Sequence, residues 1–119
     1  MQYDVAVIGG GASGLVAAIA ASRSGATTVI LEKNVKIGKK ILATGNGRCN
    51  LGNDDLSLEH FVSQDLPLAD QVLHQFNGQA ALSFFRGLGL EFVHEEGRIY
   101  PRSKQSAAVL EVLRHELER

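Results

Sequence analysis

The fold of this chain is decided by the stretch at residues 3–33, which reads YDVAVIGGGASGLVAAIAASRSGATTVILEK. Its residues 5–8 are a continuous apolar run, which is typical of a strand buried on both faces of a sheet. Residues 12–24 are rich in alanine with large apolar residues four positions apart, and this pattern predicts a helix. Residues 27–31 are again apolar and β-branched, which predicts a second central strand. A strand, a helix and a parallel strand in so short a stretch predict a right-handed βαβ unit.

The glycine fingerprint Gly9-x-Gly11-x-x-Gly14 lies between the first predicted strand and the first predicted helix. Gly9 permits a tight turn, Gly11 lets a pyrophosphate approach the backbone, and Gly14 lets the helix pack closely on the sheet. The N–H groups around Ala12, Ser13 and Gly14 would then face the phosphates at the positive end of the helix dipole. A glycine triplet alone is a weak signal, and the alternative is a turn that uses glycine only for its geometry.

Glu32 ends the second predicted strand, and it follows the last fingerprint glycine by about the twenty residues expected of a dinucleotide-binding unit. An acidic residue at this position hydrogen-bonds the two hydroxyls of an adenosine ribose, and its charge disfavours the 2′-phosphate of NADP. The strand, the glycines, the helix and this carboxylate together predict a dinucleotide site.

The segment after Glu32 bears on which dinucleotide is bound. Residues 33–53 are rich in glycine and lysine and show no helical periodicity, so the sequence predicts a long basic loop. Loops of this length are usually functional or disordered. A nicotinamide-binding Rossmann half usually continues at once into another helix and strand, and therefore this segment favours FAD. The alternative for its positive charge is a solvated basic loop.

Three motifs in and after this segment carry a resemblance to a known family: GKK at residues 38–40, TGNGRCNL at 44–51 and GRIYP at 97–101. Over essentially its whole length the chain resembles the BaiN-like bacterial flavoproteins, which are also described as aminoacetone-oxidase-like or NAD(P)/FAD-dependent oxidoreductases. The resemblance implies an α/β fold, the N-terminal part of an FAD-binding Rossmann-like three-layer architecture. It also implies flavin-dependent oxidoreduction of a small substrate.

The resemblance places the second motif along the FAD. It implies cofactor contacts from Lys40, Thr44, Gly45, Gly47, Arg48, Cys49 and Asn50. With Lys33 these residues join the fingerprint and Glu32 as the predicted FAD site. Lys40 and Arg48 would bring positive charge to a reduced flavin, and the glycine N–H groups would supply donors. Cys49 has no second cysteine for a dithiol pair, so we expect a small buried residue near the cofactor rather than a redox group.

The remaining residues complete one predicted domain. We expect an FAD-binding domain fragment at 1–119, made of the βαβ unit at 1–33, the basic loop at 34–53, and helices and a hairpin at 54–119. The pattern predicts helices at 66–76 and 78–86, strands at 90–94 and 98–100, and a last helix carrying Leu110, Leu113 and Leu117. Because members of the resembled family are several times longer, we expect a fold truncated before the third strand of the FAD sheet. Catalytic competence therefore stays open.

Composition limits the classes of function. A net charge of −1 argues against a nucleic-acid partner, and the single cysteine suits a reducing cytoplasm. No segment resembles a targeting signal or a membrane span, so we expect a cytoplasmic protein with a small-molecule substrate. The four histidines lack metal-ligand spacing, and the sequence assigns no catalytic residue. Two alternatives remain: a non-catalytic nucleotide-binding remnant or subunit that needs a partner chain to complete its sheet, and an NAD-binding Rossmann domain.

Overall fold

The computed structural model of the protein describes residues 1–119. Strand β1 (Val5–Ile8), helix α1 (Ala12–Arg23) and strand β2 (Thr28–Leu31) come first in the chain. The two strands pair in parallel, so that Ile8 lies opposite Leu31 at their carboxyl ends. The predicted βαβ unit is therefore confirmed, with boundaries within one residue of those expected.

A second group of elements follows β2. In chain order it contains α2 (Lys39–Ala43), a 3₁₀ turn (Thr44–Gly47), β3 (Gly52–Asn53), a second 3₁₀ turn (Leu58–His60), α3 (Leu66–Gln75), α4 (Gly78–Gly87), β4 (Phe92–Glu95), β5 (Arg98–Pro101) and α5 (Ser106–Leu117). The last three strands form an antiparallel sheet in the order β3-β5-β4, separate from the parallel pair. The predicted hairpin is confirmed, and its turn residues Glu96 and Gly97 both have positive φ, as a tight hairpin turn requires. Asn77 caps α4, since its side chain accepts a hydrogen bond from the Ala80 N–H.

The apolar core is built by residues of α1, α2 and α5 together with two residues from the connecting segments. Its buried members are Leu15, Ile19, Ile41, Cys49, Leu90, Val109 and Leu113. Helix α5 packs against both α1 and α2. The Ser106 hydroxyl donates to the Leu42 carbonyl at 2.8 Å, and the Arg23 guanidinium donates to Glu116 at 3.1 Å. Through these contacts α5 holds the βαβ unit and the segment after it together.

The prediction that β1 is buried on both faces is wrong for this chain. Val5 and Val7 are half-buried, whereas Ala6 is exposed and Ile8 is 77% exposed. Leu31 at the end of β2 is also 52% exposed. Helix α1 packs on one face of the parallel pair, and the alternate side chains lie on the open face. An apolar run predicts a strand that can be covered by other elements on both faces of its sheet, but it does not show whether the chain provides an element for each face.

The predicted loop at 34–53 also contains regular structure that the sequence did not predict. Helix α2 has five residues, too few for a helical period to be recognised. It begins after Gly38, which has a φ of 72°, and it buries Ile41 in the core. Gly45 and Asn46 then adopt left-handed conformations at φ 57°, which ends the helical path.

Gly14 marks the closest approach of α1 to the turn that precedes it. A Cβ atom at this position would lie 1.9 Å from the carbonyl oxygen of Gly9, a backbone atom that cannot move without displacing the turn. We expect Gly14→Ala to lower the free energy of unfolding, measured by chemical denaturation, by about 1–3 kcal/mol or more. Gly87→Ala is the matched control, because a Cβ there meets nothing within 4 Å. Equal stability of the two variants would contradict the close packing.

Candidate dinucleotide site

The fingerprint forms a tight turn that leads directly into the N-terminus of α1. Gly9 has a φ of 98°, a conformation that favours glycine, and its N–H donates to the Leu31 carbonyl at 2.8 Å. Gly11 is the N-cap of α1 and offers no capping side chain, and the first turn of the helix carries no acidic residue. A Cβ at Gly11 would meet nothing within 4 Å, so the backbone there borders open space. Gly9 and Gly14 thus have their predicted conformational and packing roles, while phosphate contact at Gly11 stays a prediction.

The Glu32 carboxylate lies beside this turn and is held by two backbone donors. The Gly10 N–H donates to its Oε1 at 2.9 Å, and the Asn34 N–H donates to its Oε2 at 2.7 Å. These hydrogen bonds, that of Asn34 first and that of Gly10 second, lower the pKa of Glu32 below its ordinary value of 4.5. The group is therefore a carboxylate at neutral pH, fixed next to the fingerprint at the carboxyl ends of the two parallel strands.

Gly10 is a site residue that the sequence reasoning missed. Besides its N–H bond to Glu32, its carbonyl accepts a hydrogen bond from the Gly38 N–H at 2.7 Å. A Cβ at position 10 would lie 2.8 Å from Cγ2 of Ile37. Gly10 therefore joins the fingerprint to the segment after β2. The available signal was a glycine at the position between Gly9 and Gly11, where the fingerprint itself requires none.

Residues 44–50 form a closed loop in the structure. The Cys49 N–H donates to the Thr44 carbonyl at 3.0 Å, and the Thr44 hydroxyl donates to the Ile41 carbonyl at 2.6 Å. A Cβ at Gly45 would lie 2.5 Å from the Asn50 nitrogen, so the loop closes on itself tightly. Cys49 is 7% exposed and belongs to the core, which confirms its predicted burial. Contact of these residues with a cofactor stays a prediction.

The predicted cationic residues differ in how they are held. Lys33 and Lys40 are exposed and make no ion pair. Arg48 in contrast lies over the Tyr100 ring, with its Cζ 4.8 Å from the ring centroid, and its Nη1 is 4.0 Å from Oε2 of Glu95. The sequence predicts uninterrupted positive charge in this segment. In the structure, strand β4 brings the Glu95 carboxylate close to Arg48, and its negative charge offsets part of the positive charge of Arg48.

The structure therefore brings the candidate residues together in two groups. Gly9 to Gly14 and Glu32 form one continuous site, whereas no hydrogen bond or ion pair joins residues 44–50 to the fingerprint. The two groups share a core, to which Leu15 after the fingerprint and Cys49 of the loop both contribute. A ligand in contact with both groups would extend from the turn toward the loop.

A cluster outside this site was also not predicted. Asp55, Glu59 and His60 place one potential ligand atom each within 4.8 Å of one another. All three side chains are exposed, and His60 Nε2 lies 2.8 Å from Asp55 Oδ2, which accounts for their proximity as surface ion pairs.

None of the helices has the length and apolar character that crossing a bilayer demands.

Comparison with known proteins identifies the relatives of this chain. It is 53% identical over 117 residues to the 3-dehydro-bile acid delta(4,6)-reductase of Clostridium scindens, a match that covers 97% of the chain and 29% of the relative. It is 26% identical over 114 residues to the ribosomal RNA dihydrouridine synthase of Haemophilus influenzae, covering 95% of the chain and 28% of that protein. A shorter match of 46 residues, 44% identical, covers 39% of the chain and 8% of the 3-oxosteroid 1-dehydrogenase of Mycolicibacterium smegmatis.

The chain thus spans less than a third of the length of the relatives it matches. The family model described as the HI0933-like protein Rossmann domain matches residues 3–119, which is nearly the whole sequence. The match includes the fingerprint and the three motifs on which the resemblance to BaiN-like proteins rests, at residues 38–40, 44–51 and 97–101. The chain belongs to the HI0933-like Rossmann-domain family.

Proposed function

We propose that residues 3–119 supply the dinucleotide-binding part of an FAD-dependent oxidoreductase. The observation that carries this proposal is the Glu32 carboxylate, oriented by the Gly10 and Asn34 N–H groups beside the open turn at Gly11. A ribose that hydrogen-bonds to a carboxylate there would leave the attached pyrophosphate at the N-terminus of α1, where helix N–H groups favour an anion.

FAD is favoured over a nicotinamide dinucleotide by the course of the chain after β2. The chain continues into the five-residue helix α2, a closed loop and an antiparallel sheet. An NAD-binding half would instead add another helix and another parallel strand at this point. The fixed negative charge of Glu32 also disfavours the 2′-phosphate of NADP.

The chemical groups of the candidate residues fit those of FAD. The fingerprint N–H groups and open backbone at Gly11 would hold the pyrophosphate, and Glu32 would hold the ribose. Lys33, Lys40 and the loop residues Thr44, Gly45, Gly47, Arg48, Cys49 and Asn50 would lie along the cofactor. When bound, FAD supplies hydride transfer, while the chain supplies binding, orientation and positive charge.

The activities for which the relatives are named support a reaction class. A delta(4,6)-reductase of 3-dehydro-bile acids, a dihydrouridine synthase and a 3-oxosteroid 1-dehydrogenase share one type of chemistry, hydrogen added or removed across a carbon–carbon bond conjugated to a carbonyl. We propose the same class for the intact protein, with a small cyclic enone as the substrate. The higher identity to the bile-acid enzyme and the net charge of −1 favour a small molecule over RNA.

An anaerobic flavin reoxidation experiment tests this proposal. The intact protein is loaded with FAD, reduced with dithionite, and mixed with a 4-en-3-one steroid or with the matching saturated 3-ketone. We expect the enone alone to reoxidise the flavin, with the saturated ketone as its product. Equal reoxidation by both compounds, or by neither, would contradict the reaction class. A protein that takes up no FAD would favour the non-catalytic alternative.

A further inference from the structure

We propose that Tyr100 and Glu95 are positioning residues for Arg48, with Tyr100 fixing the guanidinium group in place and Glu95 attenuating the positive charge that it presents to a bound flavin. This inference rests on the proposed function, because Arg48 can act on a flavin only if FAD lies along residues 44–50. It gives a role to the GRIYP motif, which the dinucleotide site itself does not use.

Tyr100 offers Arg48 a rigid platform. Tyr100 is 4% exposed and lies on β5, the central strand of the antiparallel sheet, which pairs with β3 on one side and with β4 on the other. The guanidinium Cζ lies 4.8 Å from the ring centroid, within the range in which a cation is attracted to an aromatic face. Arginine side chains have many rotamers, and a ring fixed in a strand selects one of them without neutralising the charge.

Glu95 acts on the same guanidinium group from the neighbouring strand. Its Oε2 is 4.0 Å from Nη1 of Arg48, and its Oε1 accepts a hydrogen bond from Lys104. The Lys104 hydrogen bond is the main cause that lowers the pKa of Glu95, with a smaller contribution from Arg48, so the carboxylate is charged at neutral pH. A negative charge at this distance reduces the field of Arg48 in its surroundings without removing the cation.

The two residues therefore have opposite predicted effects on the flavin. Loss of the ring in Tyr100→Leu frees Arg48 from its position, so the reduced anionic flavin loses a nearby cation and the reduction potential falls. Loss of the charge in Glu95→Gln leaves Arg48 on the ring but unattenuated, so the potential rises. If both residues served only to connect the hairpin to the loop, both substitutions would weaken FAD binding and shift the potential in the same direction.

The experiment compares the FAD-loaded protein with Arg48→Ala, Tyr100→Leu, Tyr100→Phe and Glu95→Gln. We expect Tyr100→Leu to weaken FAD binding about two- to fivefold and to lower the midpoint potential. We expect Glu95→Gln to raise the potential without weakening binding, and Tyr100→Phe to behave like the parent because it keeps the ring. Glu91→Gln is a matched control, since the Glu91 carboxylate pairs with Arg102 rather than Arg48.

A measurement without FAD tests the positioning by itself. The δ-methylene protons of Arg48 should show an upfield ring-current shift by NMR that is kept in Tyr100→Phe and lost in Tyr100→Leu. Potentials that move in the same direction in Tyr100→Leu and Glu95→Gln, or an unshifted Arg48 in the parent, would overturn the inference. If Arg48→Ala itself leaves FAD affinity and potential unchanged, the proposed role of Arg48 fails. If only Arg48→Ala changes them, the FAD assignment stands and the positioning role fails.

Discussion

Gly11→Ala is expected to weaken FAD binding by at least about a hundredfold while leaving the fold intact. A methyl group at this position would occupy the space that the pyrophosphate needs, and at least two charge-assisted hydrogen bonds of ~1.5–3 kcal/mol each would be lost. Folding should be spared because Gly11 has an ordinary extended backbone, with φ −87° and ψ −168°, and a Cβ there meets no protein atom within 4 Å. FAD titration and chemical denaturation of the same variant measure the two effects.

The contrast with Gly14→Ala makes this result specific. Gly14→Ala should destabilise the fold, since its Cβ would collide with the carbonyl of Gly9, whereas Gly11→Ala should bind FAD poorly in a protein that stays folded. Parent-like FAD affinity in Gly11→Ala would mean that the pyrophosphate does not approach the backbone at Gly11 and that this glycine serves only the geometry of the turn.

Glu32→Ala is expected to lower FAD affinity about ten- to a hundredfold. A carboxylate that accepts hydrogen bonds from both ribose hydroxyls makes charge-assisted contacts of ~1.5–3 kcal/mol each. Glu32 already accepts hydrogen bonds from the Gly10 and Asn34 N–H groups, so the ribose adds only part of that energy. Glu32→Gln should lose less, because the amide oxygen still accepts one hydrogen bond. Titration of the apo-protein with FAD, followed by flavin fluorescence, separates the two variants. Identical binding by Glu32→Ala and the parent would show that Glu32 does not contact the ribose.

The charge of Glu32 also gives this site a pH dependence of defined sign. Its folded-state pKa is lowered, so its contribution to stability is present above the ordinary pKa of 4.5 and is lost as the pH falls through the lowered value. We expect FAD affinity that is constant near neutrality and falls only below the ordinary range of a glutamate. In Glu32→Gln this acidic loss should disappear, which denaturation and FAD titration along a pH series would measure.

The parts of the fold predictable from sequence are those specified by local chemistry. The βαβ unit follows from the fingerprint and from two apolar runs, and the cap of α4 follows from Asn77 alone. The turn of the hairpin was likewise marked by a Glu-Gly pair. Each of these features depends on residues within a few positions of one another, so a single sequence carries the necessary information.

The features that the sequence did not predict depend on distant residues or on short elements. The five residues of α2 are stabilised by burial of Ile41, which no periodicity reveals. Gly10 is required because Ile37 packs against it, and Arg48 is held by Tyr100, which lies about fifty positions further along the chain. The open face at Ile8 was missed because composition shows that a strand is apolar and not what covers it.

Competitive titration of the apo-protein tests the central claim, that Glu32 and the fingerprint turn form an FAD site, most directly. FAD is added while flavin fluorescence is followed, and NAD⁺ or NADP⁺ is then added in equal concentration. If this claim holds, one FAD binds per chain saturably, neither nicotinamide dinucleotide displaces it, and Gly11→Ala weakens the binding at least about a hundredfold. Displacement of FAD by an equal concentration of NAD⁺, or no FAD binding at all, would contradict it.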